Sequence, residues 1–280
     1  MAPTLYRGSR PETAHQGRAR DWAEIQERML VPLYDTVHDR LDVGPGTRLL
    51  ALNCGSGLAL LLAAARGAAV TGYDTDPDRL RLAADRMALP QRLGTSPRGA
   101  RAADAAAPLR TGAPDRAELR AGGYDVVTAV DPATPAEDLR PALAAVAAGA
   151  RPGSAVVLAG WGPPERCSAA RVLKVAARLA EPRGPAVPAP RLSGRDDLED
   201  LARGAGLRPD GSGRVSCPFG YQDKASAVRG LMATGLFDSA VAATDLQQVE
   251  KEIAEALHPY RRPDGTVRME NVFRYLIARV

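Results

Sequence analysis

Aromatic residues are scarce in this sequence, at 4% of the 280 residues: two Trp, seven Tyr and three Phe. Such a chain cannot build its core or a binding surface from stacked rings, so the position of each ring is informative. Cysteine is scarcer still. Cys54, Cys167 and Cys217 lie far apart and form no Cys-x-x-Cys pair, which argues against a disulfide framework and against a Cys-rich zinc site. No metal ligand set is expected. Long apolar runs are missing as well: the Ala-Leu stretch 59–65 falls far short of the ~20 residues that span a bilayer. Neither charge sign dominates, because 37 basic and 33 acidic residues are interspersed to a net +4. That mixture excludes a dedicated nucleic-acid surface, and a pI near 9.1 does not restore one. Arg supplies most of the basic residues, and with heavy Ala, Gly and Pro usage this reads as coding bias before phosphate binding. Residues 1–18 are polar and carry Pro3 and Pro11, and they read as a flexible leader rather than a signal peptide. The expected setting is a reducing cytoplasm.

What is present suffices for a sizeable core, since 45% of the residues are hydrophobic. Trp22, Ile25, Met29 and Leu30 recur at helical spacing, with Asp21 as an expected cap. Pro32 interrupts this pattern and a second helix runs from Leu33 to Leu41; together these form N-terminal cap helices over 21–41. Thr47–Leu52 then reads as a buried strand, Asn53–Gly57 as a tight loop and Leu58–Ala65 as a helix. A second strand spans 68–74, and Asp76 with Pro77 opens a helix running from 79 to 87. This is the β-loop-α-β-α unit of an open parallel sheet. Further strands are expected near 100–103, at 124–130, 155–160 and 214–218, and at the C-terminus over 271–279. Helices are expected over 139–148, 166–180 and 193–205. The expected fold is a Rossmann-like, doubly wound, mostly parallel seven-stranded sheet with helices on both faces. One domain over 19–280 is expected, with a ligand-binding core at 47–160. Two amphipathic helices, over about 223–235 and 238–257, are expected to form a helical lid inserted before the last strand.

The chemistry concentrates in the first loop. Small residues there let a ligand approach the backbone, and the following helix N-terminus presents unpaired N–H groups. Gly55 and Gly57 make the loop, and Asp74 closes the next strand 17 residues after Gly57, where a carboxylate can accept hydrogen bonds from a ribose diol. The pattern points to a nucleoside-containing ligand. Dinucleotide folds prefer a third glycine, and Leu60 occupies that place, so the signature for a nicotinamide cofactor is poor.

The stretch Thr47–Gly57, then Val70–Asp74, Asp104–Ala105, Tyr124–Val127 and the Arg151-Pro-Gly153 turn resembles class I S-adenosylmethionine-dependent methyltransferases. It looks most like the UbiE-like small-molecule group, and the tail 259–278 is similar to the end of a bacterial subset. The resemblance implies S-adenosylmethionine as cofactor and a small organic acceptor, with secondary metabolism as one setting; it leaves a homodimer open. By position it implies that Asn53, Cys54, Gly55, Ser56 and Gly57 wrap the methionine part. Asp74, with Thr75 beside it, would take the ribose hydroxyls. Asp104 and Ala105 would meet the adenine, and Val130 and Asp131 would lie beside the sulfonium. Two positions depart from the family pattern, which usually has an acid at Ala51 and a glycine at Asn53. A non-catalytic methyltransferase-like binding protein therefore stays open, and so, with less support, does a nucleotide-cofactor oxidoreductase.

Methyl transfer from a sulfonium is an in-line displacement, in which the protein chiefly aligns the partners and excludes water. A base is needed only for a weak nucleophile. His258, in Leu-His-Pro-Tyr, is a weak catalytic candidate; His38 reads as a solvated helix residue, and His15 belongs to the leader. Trp22, Tyr34, Trp161, Phe219, Tyr221 and Tyr260 fall in segments expected to cover the sheet's carboxyl end, where they line an acceptor pocket or pack the lid. Arg261, Arg262 and Arg268 form a basic cluster that suits either an acidic acceptor or a solvated turn. Cys54 reads as a space-filler, since no base stands near it in sequence.

Overall fold

A computed structural model describes residues 11–92, 108–130, 136–180 and 194–280. Seven strands build the main sheet: β1 (Arg48–Leu52), β2 (Ala69–Asp74), β3 (Leu109–Thr111), β4 (Val126–Ala129), β5 (Ala155–Trp161), β6 (Arg208–Ser216) and β9 (Val272–Arg279). They lie in the order β3-β2-β1-β4-β5-β9-β6. The first five in sequence run parallel, and β9 inserts antiparallel between β5 and β6. β7 (Phe219–Tyr221) and β8 (Val267–Met269) form a separate two-stranded sheet. The mostly parallel, Rossmann-like architecture expected from the sequence is what forms.

Alternation along the strands sorts the core into two layers. Leu49, Ala51, Val126, Val157, Ala159 and Trp161 face one side, joined by residues from α2 (Val31–Arg40), α3 (Leu58–Ala65) and α7 (Ala169–Ala180). On the same side lie α9 (Lys224–Met232), α10 (Asp238–Ala243) and α11 (Leu246–Ala256), the helical insertion between β7 and β8. Leu50, Leu52, Val127, Val156 and Leu158 face the other side, covered by α5 (Arg116–Gly122), α6 (Ala136–Gly149) and α8 (Asp197–Gly204). A parallel sheet buried on both faces explains why its strands read as apolar runs without a polar face.

Several boundaries differ from expectation, each for a local reason. The first helix, α1, covers Pro11–Asp21 and so begins inside the stretch read as a leader; Arg18 ties it to Asp238 at 2.9 Å. Asp21 ends this helix instead of capping the next, and its side chain makes no cap bond. A π-helical turn over Trp22–Gln26 and a 3₁₀ turn over Glu27–Leu30 follow. The expected strand near 100–103 lies outside the described residues. The strand beside β2 is β3, hidden in Pro108–Gly112 between turn-forming residues. The Pro/Gly-rich composition around α5 conceals it, although Asp115 and Glu118 close a capping box at its start. β6 begins six residues before the expected 214, because Asp210-Gly-Ser-Gly213 reads as a turn yet pairs with β9 through a bulge at Pro209/Gly211. α4 (Pro77–Arg92) is longer than expected, and the expected lid helix over 238–257 breaks at Thr244 and Asp245, where Asp245 caps α11. Among the described residues no helix is long and apolar enough to cross a membrane, and no cluster of ligands could hold a metal.

Candidate functional site

The chain runs from β1 outward through β2 to β3, then returns to β4 on the other side of β1. A crevice at the carboxyl ends of β1 and β4 is the usual ligand position for such a sheet. The loop 53–57 follows β1 here, and Val130 follows β4. Asn53, Gly55 and Gly57 all have left-handed backbone, with φ of 52°, 59° and 78°. Asn tolerates that region better than most residues, which accounts for Asn53 where the resemblance implies glycine. At Gly57 a side chain is also sterically excluded: a Cβ there would stand 2.9 Å from the Cβ of Ala83 on α4.

Asp74 meets this loop directly. Its carboxylate accepts a hydrogen bond from the Gly55 amide at 2.8 Å and another from the Asp76 amide at 2.9 Å, and the residue is 4% exposed. The loop and the second-strand carboxylate therefore form one unit. Asp76 in turn accepts from the amides of Asp78 and Arg79 and starts α4, while Thr75 is exposed beside it. Val130 is half-buried on the apolar face. Asp104, Ala105 and Asp131 lie outside the described residues.

The N-terminal segment closes over the loop. The position of a Gly55 Cβ lies 3.0 Å from Trp22 Nε1 and 3.1 Å from Glu27 Oε1. Glu27 is 1% exposed, accepts a 2.5 Å hydrogen bond from the Ser56 hydroxyl, and receives the Leu58 amide at the start of α3 at 3.4 Å. Arg86 on α4 completes the cluster: its guanidinium donates to Glu27 at 2.5 Å, to the Ser56 carbonyl at 2.8 Å and to the Ala23 carbonyl at 3.3 Å. Arg79 lies over the Trp22 ring at 4.6 Å. The indole N–H of Trp22 is buried beside Gly55 with no hydrogen-bond partner.

Sequence reasoning missed Glu27 and Arg86. In a regular helix Trp22 lines up with Ile25 and Met29, and Glu27 points elsewhere. The π-turn bonds the Glu27 amide to the Trp22 carbonyl, five residues back, and so brings the two onto one face. No periodicity count would reveal that insertion.

The remaining candidates divide. Cys54 is buried beneath the loop, where it fills space; burial first, then the Asp74 and Glu27 charges, push its thiol up to about 12. Tyr34 and Tyr221 are buried in the apolar core, and the Tyr221 hydroxyl donates to Gln26 at 2.9 Å. Trp161 ends β5, packed against Phe273 and Phe219 at 4.6 and 5.7 Å, and it lines a cavity. Tyr260 donates to the Ser168 carbonyl at 2.9 Å. His258 is exposed on a different surface, in a groove with Lys224, Lys251 and Arg261, away from loop 53–57. Arg261 and Arg262 are exposed, and Arg268 pairs with Glu270 at 2.7 Å. His38 is a correction: it is buried, not solvated, and burial, helped by Arg66, lowers it to about 4.

No family model and no curated protein matches the sequence. Solved structures do share its fold. YjhP from E. coli is 18% identical, with 95% of this chain and 99% of that one covered and a TM-score of 0.53. YcgJ from Bacillus subtilis is 15% identical over 88% and 98% of the two chains, at 0.52. A Bacillus halodurans protein provisionally described as a methyltransferase is 13% identical over 88% and 97%, at 0.51.

Proposed function

We propose that this protein transfers a methyl group from S-adenosylmethionine to a small organic acceptor. The observation that carries the reading is the Gly55–Asp74 unit. A left-handed glycine loop at the switch point of the sheet is tied to a buried carboxylate at the end of the second strand, the place where a ribose diol would sit. The cradle suits the cofactor: the Trp22 N–H, buried without a partner beside the same loop, offers a donor to a ligand seated there once the cover shifts. The structural neighbour provisionally described as a methyltransferase supports the same reading.

Asn53–Gly57 would hold the methionine part and Asp74 the ribose hydroxyls, with Asp104 and Ala105 toward the adenine and Val130 and Asp131 toward the sulfur. Glu27 puts a carboxylate at the loop where the resemblance implies one at Ala51; Arg86 pairs with it, and it would face the cofactor's ammonium group as part of that pair. The bound cofactor supplies an electrophilic methyl group. The chain aligns and dries the site: Trp22 and Glu27 form its cover, which must shift for entry because both stand against Gly55. No general base is assigned.

Calorimetric titration tests the proposal. Binding of S-adenosylhomocysteine at micromolar affinity with no response to NAD supports it. Binding of NAD alone would favour an oxidoreductase, and silence toward both a non-catalytic protein.

A further inference from the structure

The apolar face contains a cavity that the cofactor reading does not use. It measures about 210 Å³ and lies between the end of β5 and α7, walled by Trp161, Leu173, Ala176, Ala177 and Leu236. A dry cavity of about 150 Å³ admits one benzene ring, so this one holds a single ring with a substituent. Trp161 is 5% exposed, and its Nε1–H is buried without a hydrogen-bond partner. Phe219 meets the indole edge-on and Phe273 lies tilted against it, so the ring is held in place as one wall of the cavity.

A wider pocket of about 670 Å³ lies beside the cavity and shares Pro164, Cys167, Ala170 and Lys174 with it. Arg166, Arg171 and Lys174 line this outer part, and none of them forms an ion pair among the described residues. Glu165 and Glu270 are there as well, but Glu270 is engaged by Arg268. An unpaired cationic rim around an apolar chamber selects an anionic group at the ligand's outer end. β5 neighbours β4, so Trp161 stands on the strand next to the one whose end carries Val130.

We infer that this chamber is the acceptor site, and that it takes a single-ring compound with a carboxylate at its outer end. The inference rests on the proposed methyl transfer for its role, but the chamber's ligand chemistry stands on its own geometry. Leu173, Ala177 and the face of Trp161 enclose the ring, and Lys174 with Arg171 holds the carboxylate.

Because the chain has only two Trp residues, 5-fluorotryptophan labelling gives two fluorine resonances, assigned with Trp22→Phe. Titration with 4-hydroxyphenylacetate is expected to move the Trp161 resonance saturably and leave that of Trp22 in place. Ala177→Leu, and independently Ala170→Leu, should weaken this binding at least tenfold while S-adenosylhomocysteine affinity holds, which shows the variants folded. Lys174→Ala should weaken 4-hydroxyphenylacetate several-fold and leave the uncharged p-cresol unchanged. An unmoved Trp161 resonance, or equal affinity in the wild type and both filled variants, overturns the inference. A saturable Trp161 response in a protein that ignores S-adenosylhomocysteine supports the chamber and defeats the methyltransferase reading, so the two failures are distinct.

Discussion

Single residues in this protein are placed by what they touch more than by what they are. Asp74 is the clearest case, since one of its oxygens is committed to the loop amide of Gly55 and the other to Asp76. Asp74→Asn keeps the size of the side chain but replaces an acceptor oxygen with a donor. The expected outcome is a roughly tenfold loss of S-adenosylhomocysteine affinity by calorimetry, the scale of one charge-assisted hydrogen bond. Unchanged affinity would remove Asp74 from the site. His38 makes a second prediction, in pH. Its folded value is lowered to about 4 from 6.5, so below 6.5 the unfolded chain takes up a proton that the folded protein refuses. Its contribution to stability is therefore present above pH 6.5 and is lost as the pH falls toward 4. The full loss is about 3 kcal/mol. Urea midpoints measured from pH 7.5 to 4 should show this fall, and His38→Leu should flatten it.

Among elements, the junction between the N-terminal segment and the loop carries the most consequence. Glu27 and Arg86 are a charge pair in which Glu27 is almost wholly buried, and the removal of one partner strands the other. Glu27→Gln should cost about 3 kcal/mol in denaturant unfolding, with much of the loss recovered in Glu27→Leu/Arg86→Met. A single variant within ~0.5 kcal/mol of wild type would show that the junction does not hold the cover closed. Gly57→Ala should be comparably damaging, because it meets both a left-handed backbone and the α4 side chain Ala83. The first half of the sheet was legible in the sequence because β1, α3 and β2 carry strong local signals: an apolar run, a glycine turn, an alanine-leucine helix. β3, α5 and β6 were not, since short edge strands rich in Pro, Arg and Gly draw their stability from partners distant in sequence. In the site, Gly55 and Asp74 could be read from spacing. Glu27 could not, because a π-turn sets its direction.

At the scale of the whole molecule, β9 joins the halves. It brings the C-terminal residues between β5 and β6 and seats Phe273 on Trp161 at 4.6 Å. Phe273→Ala should lower stability by about 3–5 kcal/mol in a urea titration and loosen the Trp161 environment in the same transition. Its neighbours in fold share the sheet at 13–18% identity, so the architecture outlasts the residues that fill it. The segment before β1 folds back onto the loop after it, and α9, α10 and α11 pack on the same face of the sheet. A crystal structure of the protein with S-adenosylhomocysteine puts that closure to its sharpest test. The ribose hydroxyls should lie on Asp74, with Trp22 and Glu27 displaced from Gly55 and turned toward the ligand. A ligand bound elsewhere, with Trp22 and Glu27 still seated on the glycine, would contradict it.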